Sequence, residues 1–558
     1  MPDVRVTIDD REVMVPAGST VLDAAKVAGV DIPTLCAHPA IEPIGACRIC
    51  LVEVEKQRVL QPACTFPVSD GMVVHTDTEK VLDARKFVLN LLFSERNHFC
   101  MFCQMSGSCE LQDLAYEAGL DHWRYDRAFP KLPVDASREF FVMDHNRCIL
   151  CRRCIRVCGE LVGNHTLGLK NRGANTMVVA DLDVPFGDSS CISCGTCLQV
   201  CPTGALMDRA SAFLGEEKEI TRVKSTCMAC PVGCGLEYVV RENRVIRIDG
   251  DWESCTAGLV CETGRFGPLH DQRTRAYQPM VKGADGLVAA SWDDALAKVA
   301  SEVKAAGDGV HTLVSGFCTN EAAKALKSLP GCAGLLDGAA ADGAVDLGAL
   351  DEADLFVVVN TDFSADYQVA GMAIRRGVSN KGAKLLLVGE GCDGLAAYAL
   401  KTYGADQATE AIAFAKDAQS VVVMAGPKGA SLGKEMAERI GAKAALFGSA
   451  GNSQGLAAEG ITCACEATKK VCYVYAAETT VIDEGLFKAL GEADFVAVQT
   501  SYVEPWSEIA DVILPTPTTA EKSGTTTTAE GKVKQVVAAV DTKRPGEVEI
   551  VERLSALL

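Results

Sequence analysis

Residues 148–158 read CILCRRCIRVC, and residues 191–202 read CISCGTCLQVCP. Each run spaces its cysteines as C-x2-C-x2-C-x3-C, and the second closes on Cys201-Pro202. This is the ligand spacing of paired iron–sulfur cubes, in which the last thiolate of each run crosses to the other cluster. It predicts one [4Fe-4S] cluster on Cys148, Cys151, Cys154 and Cys201, and a second on Cys191, Cys194, Cys197 and Cys158. Zinc sites or a disulfide set are the competing reading. Zinc ribbons use two CxxC pairs, whereas four thiolates at this tight spacing, written twice, suit an Fe4S4 cube better.

At 558 residues the chain is too long for a single core, so several domains are expected. A net charge of −20 argues against nucleic acid and anionic membrane surfaces, both of which would repel it. Residues 1–11 are polar and acidic, and no run of about 18 apolar residues occurs, so a soluble, cytoplasmic protein without direct membrane insertion is expected. Twenty-six cysteines would suggest disulfides in a small secreted chain. Here 19 of them fall in five ligand-spaced groups before residue 262, which favours metal ligation. The other seven, Cys255, Cys318, Cys332, Cys392, Cys463, Cys465 and Cys472, are expected to be small buried thiols.

Residues 4–15 alternate around an Asp9-Asp10 turn and read as a hairpin, followed by a helix capped by Ser19 or Thr20 with Val21, Leu22, Ala25 and Val27 on its apolar face. Cys36, Cys47, Cys50 and Cys64 then stand as C-x10-C-x2-C-x13-C. The first three sit in a loop rich in turn residues (Pro39, Pro43, Gly45), as a backbone must be to wrap a cluster and present amides to its sulfurs. A four-cysteine zinc site is the alternative. A helix over 81–95, with Leu82, Phe87, Val88, Leu91 and Leu92 on one side, leads into HFCMFCQMSGSCELQ at 98–112. Cys100, Cys103 and Cys109 need a fourth donor; His98 is the candidate, with His122 and His145 as fallbacks. A neutral imidazole in place of a thiolate would shift the cluster's potential and allow coupling to protons. Finally, Cys227, Cys230 and Cys234 form C-x2-C-x3-C, and Cys261 follows after 26 residues that include a hairpin over 236–248.

These motifs resemble known families. The double run resembles the ferredoxin-like domain of complex I and iron hydrogenases. The Cys36–Cys64 spacing departs from the plant type and resembles that of complex I, iron hydrogenases and the diaphorase part of NAD-reducing hydrogenases, which implies a [2Fe-2S] cluster on a β-grasp fold. The stretch ending in Cys109-Glu110-Leu111-Gln112 resembles the [4Fe-4S] site of the complex I large iron–sulfur subunit, which is held by one histidine and three cysteines. The usual H-x3-C spacing would put the ligand at Arg96; the compact form here is similar to the diaphorase iron–sulfur subunit of bidirectional NAD-linked hydrogenases and keeps His98. Cys261-Glu262-Thr263-Gly264-Arg265-Phe266-Gly267 resembles the cluster domain of molybdopterin-dependent oxidoreductases, implying a [4Fe-4S] cluster on Cys227, Cys230, Cys234 and Cys261, with Cys255 outside the set.

Beyond about residue 276 short apolar strands alternate with helices. Strands are expected at 309–316, 354–360, 383–388, 420–425, 444–448, 471–475 and 495–499, and a helix from Ser291, so this half should form one or two doubly wound parallel sheets. It resembles the molybdopterin oxidoreductases at Ser291–Leu296, Thr319–Glu321 and Ala510–Gly531. Thr263 replaces the lysine that catalytic members carry, and Cys332 lacks a metal-ligand context, so no pterin is expected. Gly389-Glu390-Gly391-Cys392-Asp393-Gly394 matches G-x-G-x-x-G after a strand and before an apolar helix, but the acidic residue expected near Ala425 is missing. It reads as a glycine-rich turn, with any NAD site in another subunit.

The expected fold class is therefore a multidomain α+β and α/β chain. Its parts are a β-grasp [2Fe-2S] domain (1–80), a helical [4Fe-4S] domain with one histidine and three cysteine ligands (81–135), a two-[4Fe-4S] ferredoxin domain (136–218), a molybdopterin-oxidoreductase-type [4Fe-4S] domain (219–275), and a doubly wound α/β domain without cofactor (276–558). The resemblance implies an electron-transfer subunit of a soluble NAD(P)-linked hydrogenase, with or without electron bifurcation, whose bond-making site lies in another chain. Implied partners are an FMN/NAD(P)H-binding iron–sulfur subunit, a small thioredoxin-like [2Fe-2S] subunit, and a nickel–iron hydrogenase or formate dehydrogenase catalytic subunit. The alternatives are the peripheral-arm subunit of membrane complex I and a formate dehydrogenase subunit with or without its own molybdenum or tungsten pterin.

Overall fold

The computed structural model describes residues 2–338, 343–462, 470–480 and 482–558; Cys463, Cys465 and the side chain of Cys332 lie outside the described part. The chain divides into two compact units, Met1–Ile220 and Thr221–Leu558.

In the first unit, strands Asp3–Ile8 and Arg11–Pro16 pair antiparallel from Asp3↔Pro16 to Ile8↔Arg11. Asp9 and Asp10 take φ of 44° and 67°, the doubly left-handed turn whose twist suits a two-residue hairpin. Met72–His75 adds parallel to the first strand, and Leu51–Val54 and Gln61–Pro62 complete a five-stranded sheet. Helix Val21–Val27 packs its Val21, Ala24 and Ala25 against Val6, Ile8 and Val52 of that sheet, giving the β-grasp arrangement. Thr20, not Ser19, caps it: its Oγ1 accepts from Asp23 N at 3.2 Å, and its own N donates to the Asp23 carboxylate at 3.0 Å. Val27, expected on the buried face, is 63% exposed, because six residues beyond Val21 it points away from the Val21-Ala24-Ala25 stripe.

Helix Glu79–Glu95 corrects a second expectation. Val81, Leu89 and Phe93 are buried, with Val88 and Leu92 beside them, while Leu82, Phe87 and Leu91 are exposed. Leu89 and Phe93, four residues apart, set the stripe; Phe87 and Leu91 lie across the helix, where Phe87 meets Tyr125 edge-on at 6.0 Å. Downstream, the strands Val134–Asp135, Phe141–Asp144 and Leu206–Asp208 form one small sheet, and the hairpin Leu167–Lys170 with Met177–Ala180 forms another.

The second unit opens with a three-stranded antiparallel sheet (Thr221–Thr226, Gly235–Arg241, Arg244–Gly250) and helix Glu262–His270. Two larger sheets follow. In one, Val512–Pro515, Phe495–Thr500, Val471–Ala477, Val310–Val314 and Cys332–Leu335 run parallel, with the antiparallel hairpin Met280–Gly283/Gly286–Ala289 on the edge. The other is all-parallel in the order Lys401–Tyr403, Lys384–Val388, Leu355–Val359, Val421–Ala425, Lys443–Leu446. Its central strand is the first in sequence, the doubly wound order in which the chain reverses direction across the sheet. Leu355–Val359 and Val421–Ala425 are buried throughout, as strands covered on both faces must be.

Phe356 is fully buried in that central strand, and a Cβ added at Gly377 would stand 2.7 Å from its ring. Phe356→Ala should cost about 3–5 kcal/mol, because the packed interior cannot close over the lost ring; the midpoint of denaturant unfolding measures it.

The glycine turn after Lys384–Val388 differs from expectation. A 3-10 turn, Asp393–Tyr398, follows it in place of an α-helix. Gly389 (φ 86°) has a local reason: a Cβ there would lie 1.9 Å from Asn360 Oδ1, which accepts from Glu390 N at 3.0 Å. The glycine serves the packing of the turn on its neighbouring strand.

Candidate metal centres

The two cysteine runs fold as near copies. In the first, Leu150 and Arg152 take left-handed φ values of 55° and 61°; in the second, Ser193 and Gly195 take 53° and 69°. This kinked backbone turns Leu150 N toward Cys148 Sγ and Ser193 N toward Cys191 Sγ, each at 3.4 Å. Short helices, Arg153–Arg156 and Thr196–Gln199, then carry the third cysteine of each run. Left-handed non-glycine residues are strained by about 1–3 kcal/mol, and here the strain aims amides at sulfur.

The thiols influence one another crosswise. Burial, with the charge of Cys201 adding to it, pushes Cys148 up to about 11 and Cys151 up to about 12. Cys154 is raised well above its ordinary value by burial, then by Cys151, Cys148 and Cys201. In the second run burial raises Cys191 to about 12 and Cys197 well above its ordinary value, with Cys194 and Cys158 adding to both. Cys201 thus lies near enough to the first run's cysteines to raise all three, and Cys158 near enough to raise Cys191 and Cys197, with Cys201 adding least to Cys197. Crowded, buried thiols that resist ionisation singly are what a cationic iron core would compensate.

Cys36, Cys47, Cys50 and Cys64 also converge. Hydrogen bonds from the Cys47 and Cys64 side chains pull Cys36 down, one from Cys64 pulls Cys50 down, and Cys47 and Cys64 are raised in turn. Cys47 N donates to Cys36 Sγ at 3.5 Å.

His98, Cys100, Cys103 and Cys109 line one small cavity, closed by Phe93 and Arg147. His98 Nε2 is buried with no hydrogen-bond partner. Burial, with Arg147 and Arg96 nearby, holds the imidazole pKa at about 4, so the ring is neutral and its nitrogen can serve as a donor. The fallbacks fare differently. The His122 side chain is 71% exposed and bonds Asp121 at 2.6 Å, and His145 borders a different cavity. Arg96, at the H-x3-C position, is a buried tie, donating from Nη2 to Thr176 O at 3.1 Å.

In the second unit, burial raises Cys227 to about 12, and Cys230 and Cys234 well above their usual range, with Cys261 contributing to all three. Gly264 N donates to Cys261 Sγ at 3.3 Å. Cys255 is exposed, 2.9 Å from Lys534 Nζ, and adds least to Cys234. Its exposure corrects the expectation of a buried thiol, since it sits in a surface turn; Cys318, Cys392 and Cys472 are buried as expected.

Sequence reasoning missed the arginines around these sites. Arg138 donates to Cys191 O at 2.7 Å and to Ser193 Oγ at 2.9 Å, and Arg153 and Arg156 reach the Cys36 loop. The pair Arg152-Arg153 inside a ligand run was the available signal.

The donor sets fit the clusters their spacing implies: the thiols are grouped and buried, amides point at sulfur, and the one site with three thiols has an orphaned, neutral imidazole. Family models agree in kind. A 2Fe-2S iron–sulfur cluster binding domain matches residues 2–79, the NADH-ubiquinone oxidoreductase-G iron–sulfur binding region 85–124, and the NADH-quinone oxidoreductase subunit 3 ferredoxin-like domain 139–207. The molybdopterin oxidoreductase Fe4S4 domain matches 220–270, and the molybdopterin oxidoreductase model 275–420 and 412–547. The chain is a modular iron–sulfur protein of the oxidoreductase class, with binding domains of both the 2Fe-2S and 4Fe-4S types.

It is 30% identical to NADH-quinone oxidoreductase subunit 3 of Thermus thermophilus over 95% of this chain and 79% of that protein. The chain belongs to that family, the large iron–sulfur subunits of complex I and NAD(P)-linked hydrogenases. It is 38% identical to an NADH-quinone oxidoreductase subunit of Rhizobium meliloti, covering 52% of this chain and 34% of that one. It is 41% identical to the NADP-reducing hydrogenase subunit HndD of Solidesulfovibrio fructosivorans, covering 37% and 36%. The chain therefore spans about a third of the length of these last two relatives. Among the described residues no helix is long and apolar enough to cross a membrane.

Proposed function

We propose that the chain is the electron-transfer subunit of a multi-subunit, NAD(P)-linked hydrogenase, soluble and cytoplasmic, with the bond-making site in another subunit. The proposed ligands are Cys36, Cys47, Cys50 and Cys64 for a [2Fe-2S] cluster, and His98, Cys100, Cys103 and Cys109 for a [4Fe-4S] cluster. Three further [4Fe-4S] sets are Cys148, Cys151, Cys154 and Cys201; Cys191, Cys194, Cys197 and Cys158; and Cys227, Cys230, Cys234 and Cys261. Clusters of these kinds take up and release single electrons without making bonds. The chain's own part is to bury the thiols, donate amides to sulfur and keep water out.

The observation that carries the reading is the convergence of five donor groups in one chain. The hydrogenase assignment is supported by the 41% identity to a hydrogenase subunit. The proposed partners are an FMN/NAD(P)H-binding subunit, a small thioredoxin-like [2Fe-2S] subunit, and a nickel–iron or formate dehydrogenase catalytic subunit. A second reading, the peripheral-arm subunit of complex I, is favoured by the match along 95% of the chain to a quinone oxidoreductase subunit. Purification of the native complex decides between them by whether hydrogenase or membrane subunits accompany the chain. Metal analysis should find about 18 iron atoms per chain; one molybdenum or tungsten per chain would overturn the assignment.

His98 carries its own prediction. His98→Cys should retain the cluster and lower its midpoint potential, because an anionic thiolate replaces a neutral ring. His98→Ala should lose the corresponding paramagnetic signal. An unchanged signal in the alanine variant removes His98 from the ligand set.

A further inference from the structure

Arg153 sits on the short helix Arg153–Arg156 inside the first cysteine run and is 2% exposed. Its guanidinium makes contacts in three directions. Nη2 donates to Ala37 O at 2.8 Å, Nη1 to Val200 O at 3.3 Å, and the two together grip Glu110 at 2.7 and 2.9 Å. Every partner is the immediate neighbour of a proposed ligand: Ala37 follows Cys36, Glu110 follows Cys109, and Val200 precedes Cys201. Arg153 itself precedes Cys154. One side chain thus abuts three separate donor sets. One turn further, Arg156 reinforces the first of these contacts by donating to Cys36 O and Glu42 O.

We propose that Arg153 is a shared positioning residue, which locks the Cys36, His98–Cys109 and Cys148–Cys201 sites into one register and biases all three toward their reduced, more negatively charged states. The inference rests on the ligand sets proposed above. A guanidinium suits the task because its planar fork serves a carboxylate and two carbonyls at once and stays charged when buried; the ammonium of lysine offers one point of attachment. Glu110 offsets the charge incompletely, since its side chain is 49% exposed and screened by water, whereas Arg153 faces the interior. The Cys191 set is served instead by Arg138 and provides the internal comparison.

The test is a redox titration of the full-length, cluster-loaded chain, with each cluster followed by its own paramagnetic signal. Arg153→Gln should lower the midpoint potentials at the Cys36, His98–Cys109 and Cys148–Cys201 sites together, and change the Cys191 and Cys227 sets least. Glu110→Gln should shift the His98–Cys109 site in the opposite direction. Arg153→Lys, which keeps the charge and loses the fork, should hold the potentials near wild type while altering the magnetic coupling between neighbouring clusters. Unshifted potentials in Arg153→Gln at full iron content, or an equal shift at all five sites, overturn the proposal. Should Arg153→Gln lose iron, Glu110→Gln decides: an upward shift supports the proposal and no shift overturns it. Absence of five distinct signals in the unmodified protein would instead overturn the ligand assignment, before any variant is made.

Discussion

Cys201→Ser should abolish the same paramagnetic signal as Cys151→Ser, and spare the one abolished by Cys194→Ser. Cys201 belongs by sequence to the second run, so a reading that kept each run to itself would have it lost with Cys194. The side-chain environments argue for the crossing. Beyond the effect of burial, Cys201 raises all three of Cys148, Cys151 and Cys154 but in the second run only Cys197, where it comes last, while Cys158 raises both Cys191 and Cys197. Serine is nearly isosteric with cysteine but is a poor ligand at neutral pH, so it removes one donor with little change in packing. The expected loss is about four iron atoms per chain, with the neighbouring cluster retained. Iron analysis and electron paramagnetic resonance of the three variants measure it, and pairing of Cys201→Ser with Cys194→Ser would refute the crossed arrangement.

Lys522→Met should destabilise the second unit by about 3–5 kcal/mol, the cost of stripping the partner from a buried charge. Lys522 and Glu547 are 3% and 5% exposed, with Nζ 3.0 Å from Oε2. Lys522 also donates to Phe317 O at 2.5 Å, while Glu547 accepts from Thr319 N at 3.0 Å and from the Tyr475 hydroxyl. The carboxylate thereby ties the final helix, Glu547–Ser555, to a central strand and to the cap of Asn320–Lys327. Against the penalty of burial, Lys522 and these hydrogen bonds hold the Glu547 carboxyl below its ordinary range. A carboxyl depressed in the folded state contributes stability above its unfolded pKa of about 4.3, and loses it as pH falls through the folded value. In Lys522→Met the sign reverses. Burial without a partner raises the folded pKa, so the deficit grows as pH rises above the unfolded value and shrinks in acid. The double variant Lys522→Met/Glu547→Gln, neutral and still able to hydrogen-bond, should recover part of the loss. Hydrogen exchange in Glu547–Ser555 across pH 4–7 tests both the size and the slope; a deficit independent of pH would show that the charge is not its source.

Much of this was legible in the cysteine spacings and in the strands. Ligand runs are local, so their spacing survives folding unchanged, and buried parallel strands such as Leu355–Val359 announce themselves as continuous apolar runs. Three kinds of feature were not legible. Helix Glu79–Glu95 carries apolar residues on both sides, and only tertiary packing selects Leu89 and Phe93 over Phe87 and Leu91. Short strands such as Lys401–Tyr403 and Val512–Pro515 give too few alternations to register. The arginines that embrace the donor loops are invisible for another reason: their partners are distant in sequence, and several of those partners are main-chain oxygens.

That last point bears on how such a protein can change over generations. Arg153 and Arg156 hold the loop from Cys36 to Glu42 through the carbonyls of Cys36, Ala37 and Glu42, across 114–120 residues of chain. A carbonyl is the same atom whatever side chain it carries, so the exposed position 42 can drift in identity while the seam stays closed, and only the packing of Ala37 in the core restricts position 37. The dependence between the two segments would leave no paired substitutions for a sequence comparison to find. What is inherited jointly is the path of the loop, and transplanting either segment alone into a relative would expose it.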